Sequence, residues 1–263
     1  MTGSLDVDGL LLDIDGVLVT SWQALPGAIE AVEALRARGA PFRLITNTTT
    51  HTRAALAETL ADAGFSIEPG EIATAVTATA SYLQEAHPRD GVFVLSDGDP
   101  GEDLGSVRLV DVDDADVVVL GGGCDDFSYD AMNRVFRRVD EGAAFVAMHR
   151  NLYWRTTDGL QLDGGAFVAA LEAATGVTPA VCGKPSEAFF ASALAMLGVP
   201  ADRAAMVGDD IVNDVTGAQA AGLAGVLVRT GKFRPTDLDR GAPDAVVDSL
   251  ADVPRLLGLE ERA

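Results

Sequence analysis

Between residues 10 and 17 the chain reads Leu-Leu-Leu-Asp-Ile-Asp-Gly-Val, so an apolar run carries two carboxylates, Asp13 and Asp15, one residue apart at its tip. Carboxylates at the end of a buried strand need a partner. For such a pair the usual partner is a hard cation, magnesium first among them. One of the two could then act as nucleophile while the other handles the proton. The plain alternative is an apolar edge strand closing in an Asp-Gly turn, and these residues alone do not separate the two.

Three more strand-like runs end on polar, reactive side chains. Leu44-Ile45 stops at Thr46-Asn47, Val181-Cys182-Gly183 leads to Lys184-Pro185, and Ala205-Met206-Val207-Gly208 stops at Asp209-Asp210, with Asn213-Asp214 following. In open α/β sheets, ligands bind outside the C-terminal ends of the strands. If the four strands are parallel neighbours, one pocket receives several carboxylates, a hydroxyl and an ammonium. That set suits phosphoryl chemistry. Magnesium takes oxygen ligands and neutralises phosphate charge. Thr46 and Asn47 can donate to phosphoryl oxygens, and Lys184 supplies a point charge where negative charge develops. Asp13 can attack phosphorus in line, and Asp15 can protonate the leaving oxygen and later deprotonate water. Main-chain N–H groups just after Asp13 are expected to be open to an anion. Each piece has an ordinary reading as a turn, a helix entrance or an N-cap. Their common placement at strand ends, in this order, favours a site.

The elements that must hold these residues alternate. Strand-like runs cover 9–13, 41–46, 91–95, 116–120, 143–147, 204–207, 225–228 and 245–247. Helical patterns begin at 26 and end near Gly39, then cover 53–63, 128–140, 166–175, 186–197, 213–221 and 250–257. Such alternation predicts an α/β protein with a largely parallel sheet. Gly121-Gly122-Gly123 follows a strand without the spacing of a dinucleotide cradle. Gly183-Lys184-Pro185-Ser186 fails as a P-loop, because Thr178 stands where glycine is required and Pro185 where Ser or Thr is required. Aspartate clusters at 97–103 and 111–116 read as solvated loops.

The 263 residues suffice for one large domain or two smaller ones. A formal charge of −21 argues against nucleic acid or an anionic membrane as a partner. No apolar window is long enough to span a bilayer, and the first residues lack the pattern of a signal peptide, so a cytoplasmic protein is expected. Cys124 and Cys182 match no metal or redox spacing and are expected as reduced thiols. His51, His87 and His149 are too scattered for a zinc site. Of 19 basic residues only Lys184 and Lys232 are lysines. Both are candidates for a role that needs an ammonium, chance survival being the other reading.

Asp13-Ile14-Asp15-Gly16-Val17, Thr46-Asn47, Lys184 and Gly208-Asp209-Asp210…Asp214 together resemble the four motifs of the haloacid dehalogenase-like hydrolase superfamily. The insert between Thr46 and Lys184 looks like the cap of its type IIA, p-nitrophenylphosphatase-like subfamily. The tail Val228-Arg229-Thr230-Gly231-Lys232-Phe233-Arg234-Pro235 narrows the resemblance to one branch of that subfamily. The resemblance implies a Rossmann-like three-layer core in residues 1–79 and 180–263, with an α/β cap in 80–179. It implies Asp13 as nucleophile, Asp15 as general acid/base, and phosphate contacts from Thr46, Asn47 and Lys184. It also implies Mg2+ held by Asp13, the carbonyl of Asp15 and Asp209, with Asp214 or Asp210 in support. The expected activity is hydrolysis of small phosphomonoesters, with phosphoramidates or pyrophosphate as further substrates, on a small phosphorylated metabolite. The second aspartate favours phosphatase over dehalogenase chemistry. In the cap, the segment from Met148 to Tyr153 followed by Asp158-Gly159 resembles the loop that faces the active site, which makes His149, Arg150 and Tyr153 expected substrate contacts. Relatives often dimerise through the cap, so a homodimer is implied, although no apolar stripe in the sequence specifies it. Two other classes compete: a receiver-like phospho-accepting module, which has no need of Asp15, and a non-catalytic interaction protein, for which a lost motif residue would speak.

Overall fold

The computed structural model describes residues 5–123, 125–156 and 159–258. Cys124 and Asp158 therefore lie outside the described residues. The chain divides into two compact units. The first takes the chain up to Thr46, Arg53–Ala73, and everything from Lys184 on. The second takes Asn47–Thr52 and Thr74–Gly183, a wider insert than residues 80–179.

In the first unit, β1 (Gly9–Asp13) is followed by a small hairpin of β2 (Val19–Thr20) and β3 (Gln23–Ala24), then by β4 (Phe42–Thr46) and β5 (Ile72–Thr74). The second unit contributes β6 (Val92–Leu95), β7 (Val117–Leu120), β8 (Ala144–Ala147), the hairpin strands β9 (Tyr153–Thr156) and β10 (Gly159–Leu162), and β11 (Ala180–Val181). Back in the first unit come β12 (Ala204–Gly208), β13 (Ala224–Val228) and β14 (Ala245–Val247).

The first sheet has the order β14-β13-β12-β1-β4-β5. Its central strand, β1, runs parallel to β12 on one side and β4 on the other. A parallel strand covered on both faces reads as an unbroken apolar run, and Leu10-Leu11-Leu12 is buried throughout. Successive side chains alternate between faces. Leu10 and Leu12 pack with Leu44, Val207 and Val226 beneath Val32, Leu35, Leu56 and Leu60 of helices Ala28–Ala37 and Arg53–Asp62. Helix Glu187–Leu197 packs against β1 and β4. Truncating a leucine in such a core costs about 2–5 kcal/mol, which keeps the strand that carries Asp13 fixed in register.

The second sheet, β11-β8-β7-β6, is also parallel where its pairings are defined. Along β7 the same alternation sends Val118 and Leu120 to a core with Phe145, Val135 and Val168, and Val117 and Val119 to one with Val76, Leu83 and Met148.

The eight strands expected from sequence are present with small shifts at their ends. One expectation is corrected. The four strand ends are not all neighbours in one sheet: Val181 ends β11, which pairs with β8 in the second unit, and Lys184 starts the segment that returns to the first. Helix Ala75–Ala86 was not expected; Thr74 and Thr77 cap it reciprocally, each hydroxyl accepting the other residue's N–H at 3.1 Å. The stretch 213–221 instead begins as a π-helix, Ile211–Thr216, which continues into Gly217–Ala220. Among the described residues no helix is long and apolar enough to cross a membrane.

Candidate active site

The C-terminal ends of β1 and β12 lie side by side, so Asp13 and Asp209 leave adjacent strands. Asp214 joins them from the π-helix after β12. This wide turn is uncommon and recurs at functional sites. Asp210 caps it, its Oδ1 accepting from the N–H groups of Val212 (2.9 Å) and Asn213 (3.1 Å). Its Oδ2 accepts from the Asn213 side chain at 2.9 Å. Asp210 is thereby committed to local structure. Carboxylate oxygens of Asp13, Asp209 and Asp214 all lie within 4.8 Å of one another, and all three residues are buried.

Lys184 sits among them, 2% exposed. Its ammonium donates to Asp13 Oδ1 and Asp214 Oδ1, each at 2.7 Å. Asp214 Oδ2 accepts the Asp210 N–H at 3.1 Å, and Asp209 Oδ2 accepts the Lys232 N–H at 2.6 Å. Asp209 Oδ1 is buried without a hydrogen-bond partner. Thr46, at the end of β4 next to β1, is buried at 2% exposure. Asp15 is exposed, and its carboxylate lies outside the cluster.

The charges do not balance: three buried carboxylates face one buried ammonium. Burial pushes Asp13 above the usual carboxylate range against the opposing pull of Lys184. Burial pushes Asp214 up to about 6, the charges of Asp13 and Asp210 adding to it and Lys184 opposing. Asp209 is raised well above its ordinary value by burial and by the negative charges of Asp13 and Asp214. Burial works against the charge on Lys184, but Asp13 and Asp214 more than offset it and hold the ammonium protonated. An all-oxygen donor set with excess negative charge and an unpartnered buried oxygen fits a hard divalent cation.

Part of the turn after Asp13 is closed on itself. Gly16 N–H donates to Val19 O at 2.7 Å, and the N–H groups of Leu18 and Val19 both donate to Ile14 O, at 2.9 and 3.1 Å. Those three amides are engaged within the turn and are not open to an anion.

Asn47 and the three expected cap contacts belong to the second unit. Asn47 is buried. His149 is 2% exposed; its Nδ1 accepts the Asn151 N–H at 3.2 Å and its Nε2 lies 3.8 Å from Asp163 Oδ1. Arg150 pairs with Glu172. Tyr153 is half-exposed on β9. Sequence reasoning missed Asp163, which caps helix Gly164–Thr175 and also accepts the Gly123 N–H at 3.1 Å. An Asp followed by Gly-Gly before an apolar helix is the signal that could have found it.

Comparison with known proteins agrees with this geometry. Residues 10–107 match the family model described as haloacid dehalogenase-like hydrolase, and residues 181–253 match a HAD-hydrolase-like model. The chain is 37% identical over 234 residues to haloacid dehalogenase-like hydrolase domain-containing protein 2 of Bos taurus, covering 89% of this chain and 88% of that one. It is 38% identical over 259 residues to phospholysine phosphohistidine inorganic pyrophosphate phosphatase of Rattus norvegicus, covering 95% and 94%. Its fold superposes on p-nitrophenyl phosphatase from Archaeoglobus fulgidus with a TM-score of 0.89 at 32% identity, over 95% of this chain and 99% of that one. The chain belongs to the haloacid dehalogenase-like hydrolase family, and its activity class is that of a phosphoric monoester hydrolase. The receiver-like and non-catalytic alternatives fall away with that membership.

Proposed function

We propose that the protein is a magnesium-dependent phosphatase that hydrolyses small phosphomonoesters through an aspartyl-phosphate on Asp13. The observation that carries this reading is the buried triad of Asp13, Asp209 and Asp214 around the Lys184 ammonium. Asp13, Asp209 and the carbonyl of Asp15 would hold Mg2+. Asp214 supports them rather than Asp210, because the Asp210 carboxylate already serves the turn. When bound, the cation supplies charge neutralisation at the phosphoryl oxygens.

The chain's own residues do the rest. Lys184 keeps Asp13 oriented and adds positive charge where the phosphoryl group gains negative charge. Thr46 and Asn47 donate to phosphoryl oxygens. An Asp13 oxygen forms a bond to phosphorus as the ester P–O bond breaks, and the leaving oxygen takes its electron pair and a proton from Asp15. Asp15 then removes a proton from water, which attacks phosphorus and releases phosphate with the Asp13 carboxylate restored. The second unit serves as the cap that selects the leaving group, with His149, Arg150 and Tyr153 as its contacts. Two relatives are named as a p-nitrophenyl phosphatase and as a phospholysine phosphohistidine inorganic pyrophosphate phosphatase, so phosphoramidates and pyrophosphate belong in the substrate panel beside monoesters.

The test is phosphate release from p-nitrophenyl phosphate and that panel, with Mg2+ and with chelator. Release that needs Mg2+ supports the reading, and the ranking of the panel assigns the leaving group. Equal release in chelator contradicts it.

A further inference from the structure

The segment after β13 has no part in the chemistry above, yet its main chain touches the site. Thr230-Gly231-Lys232 passes Asp209 closely enough for the Lys232 N–H to donate to Asp209 Oδ2 at 2.6 Å. Gly231 adopts φ +61°, and a Cβ there would lie 1.9 Å from that same oxygen. Gly16, at φ +83°, approaches it from the turn after Asp13, where a Cβ would lie 2.2 Å away. The Thr230 hydroxyl donates to the Gly16 carbonyl and ties the two glycine turns together. One oxygen of Asp209 is thus enclosed by two backbones that tolerate no side chain. The other, Oδ1, is buried and has no partner.

We propose that Gly16, Gly231 and the main-chain N–H of Lys232 form a clamp that fixes Asp209 Oδ2 and so presents Oδ1 to the divalent cation. Gly231 and Lys232 are positioning residues: they act through Asp209, as outer partners of metal ligands generally do. The role of Lys232 lies in its backbone. Its side chain is half-exposed, with Nζ 4.0 Å from Asp210 Oδ2. This inference rests on the divalent-cation reading of the Asp13 cluster.

The experiment measures Mn2+ alone binding to the whole protein, by electron paramagnetic resonance or calorimetry, with the thermal midpoint of chelator-treated protein as the fold control. Gly231→Ala is expected to weaken Mn2+ binding by about 10–100-fold. Lys232→Ala keeps the N–H and removes a positive charge near the cation. It is expected to bind within about fivefold of wild type, on the tight side. Thr230→Val leaves both glycines in place and is expected to fall between wild type and Gly231→Ala, which keeps the test open should Gly231→Ala fail to fold. Wild-type affinity in Gly231→Ala, or in Thr230→Val should Gly231→Ala fail to fold, overturns the clamp, as does a lowered midpoint with unchanged affinity. A loss in Lys232→Ala equal to that in Gly231→Ala overturns the backbone assignment. A wild-type protein that binds no Mn2+ refutes instead the cation reading beneath it.

Discussion

Both units end a parallel sheet in a polar cluster, and the two clusters are satisfied to different degrees. Beyond β1 and β12, three buried carboxylates share one ammonium, and a buried oxygen of Asp209 has no partner. Beyond β7 and β8, the polar groups are matched locally. Asp163 accepts the N–H groups of Gly123 and Gly164, His149 accepts that of Asn151, and the Gly122 N–H is shared by the hydroxyls of Thr49 and Ser96. Topology brings side chains to the strand ends in each case. What separates the two is unbalanced charge, which is costly to bury and persists where a ligand is meant to complete it.

The comparison breaks most readily at Asp13. Asp13→Asn keeps the shape of the side chain and removes the nucleophile, so turnover should fall by at least about 10⁴-fold while the circular dichroism stays that of the wild type. Lys184→Ala should lower kcat/KM by about 10²–10³-fold. It should also lower metal-free stability in denaturant melts by about 3–5 kcal/mol, because it leaves buried carboxylates without their counter-ion. In the second unit, Asp163→Ala should cost about 0.5–2 kcal/mol through the lost helix cap, with turnover of p-nitrophenyl phosphate changed by less than about threefold. Loss of turnover there as complete as in Asp13→Asn would erase the distinction between the clusters.

Two smaller effects sharpen it. Burial pushes the Cys182 thiol up to about 11, with a hydrogen bond to Thr79 opposing. In a Cys124→Ser background, native protein at pH 8 should therefore react with a disulfide reagent about 10²-fold more slowly than after unfolding. Glu71 shows what an ordinary paired carboxylate does. Burial raises its pKa, but the Arg36 guanidinium at 2.7 Å and the Glu68 N–H at 2.9 Å outweigh burial and leave it below the ordinary 4.5. Its contribution is fully present above pH 4.5 and is lost as pH falls through the lower folded-state value. Arg36→Ala should remove under about 1 kcal/mol at pH 7, and the difference from wild type should shrink as pH drops below 4.

The first unit's strands were legible because central parallel strands are unbroken apolar runs, as Leu10-Leu11-Leu12 and Ala204–Val207 are. Helix Ala75–Ala86 was hidden because its first half, Ala-Val-Thr-Ala-Thr-Ala, alternates small and β-branched residues and lacks a helical stripe. Asp13, Asp209, Asp214 and Lys184 could be picked by residue type, but not the route of Lys184. A two-residue strand such as β11 carries no mark of which sheet it joins. The choice between Asp210 and Asp214 turns on hydrogen-bond partners, and the Lys232 N–H on a main-chain donor that every non-proline residue has. Neither leaves a trace in residue type. The engaged amides of Gly16, Leu18 and Val19 were invisible for the same reason.

The most direct test uses Asp15→Asn. p-Nitrophenolate leaves without needing a proton from an acid, so this variant should still form the Asp13 phosphoryl ester from p-nitrophenyl phosphate, yet lack the base that hydrolyses it. Acid quench followed by peptide mass spectrometry should find one phosphoryl group on the peptide that contains Asp13, accumulating in Asp15→Asn with Mg2+ and absent in Asp13→Asn. Nitrophenol release with no phosphoryl group on Asp13 in any variant would contradict the account.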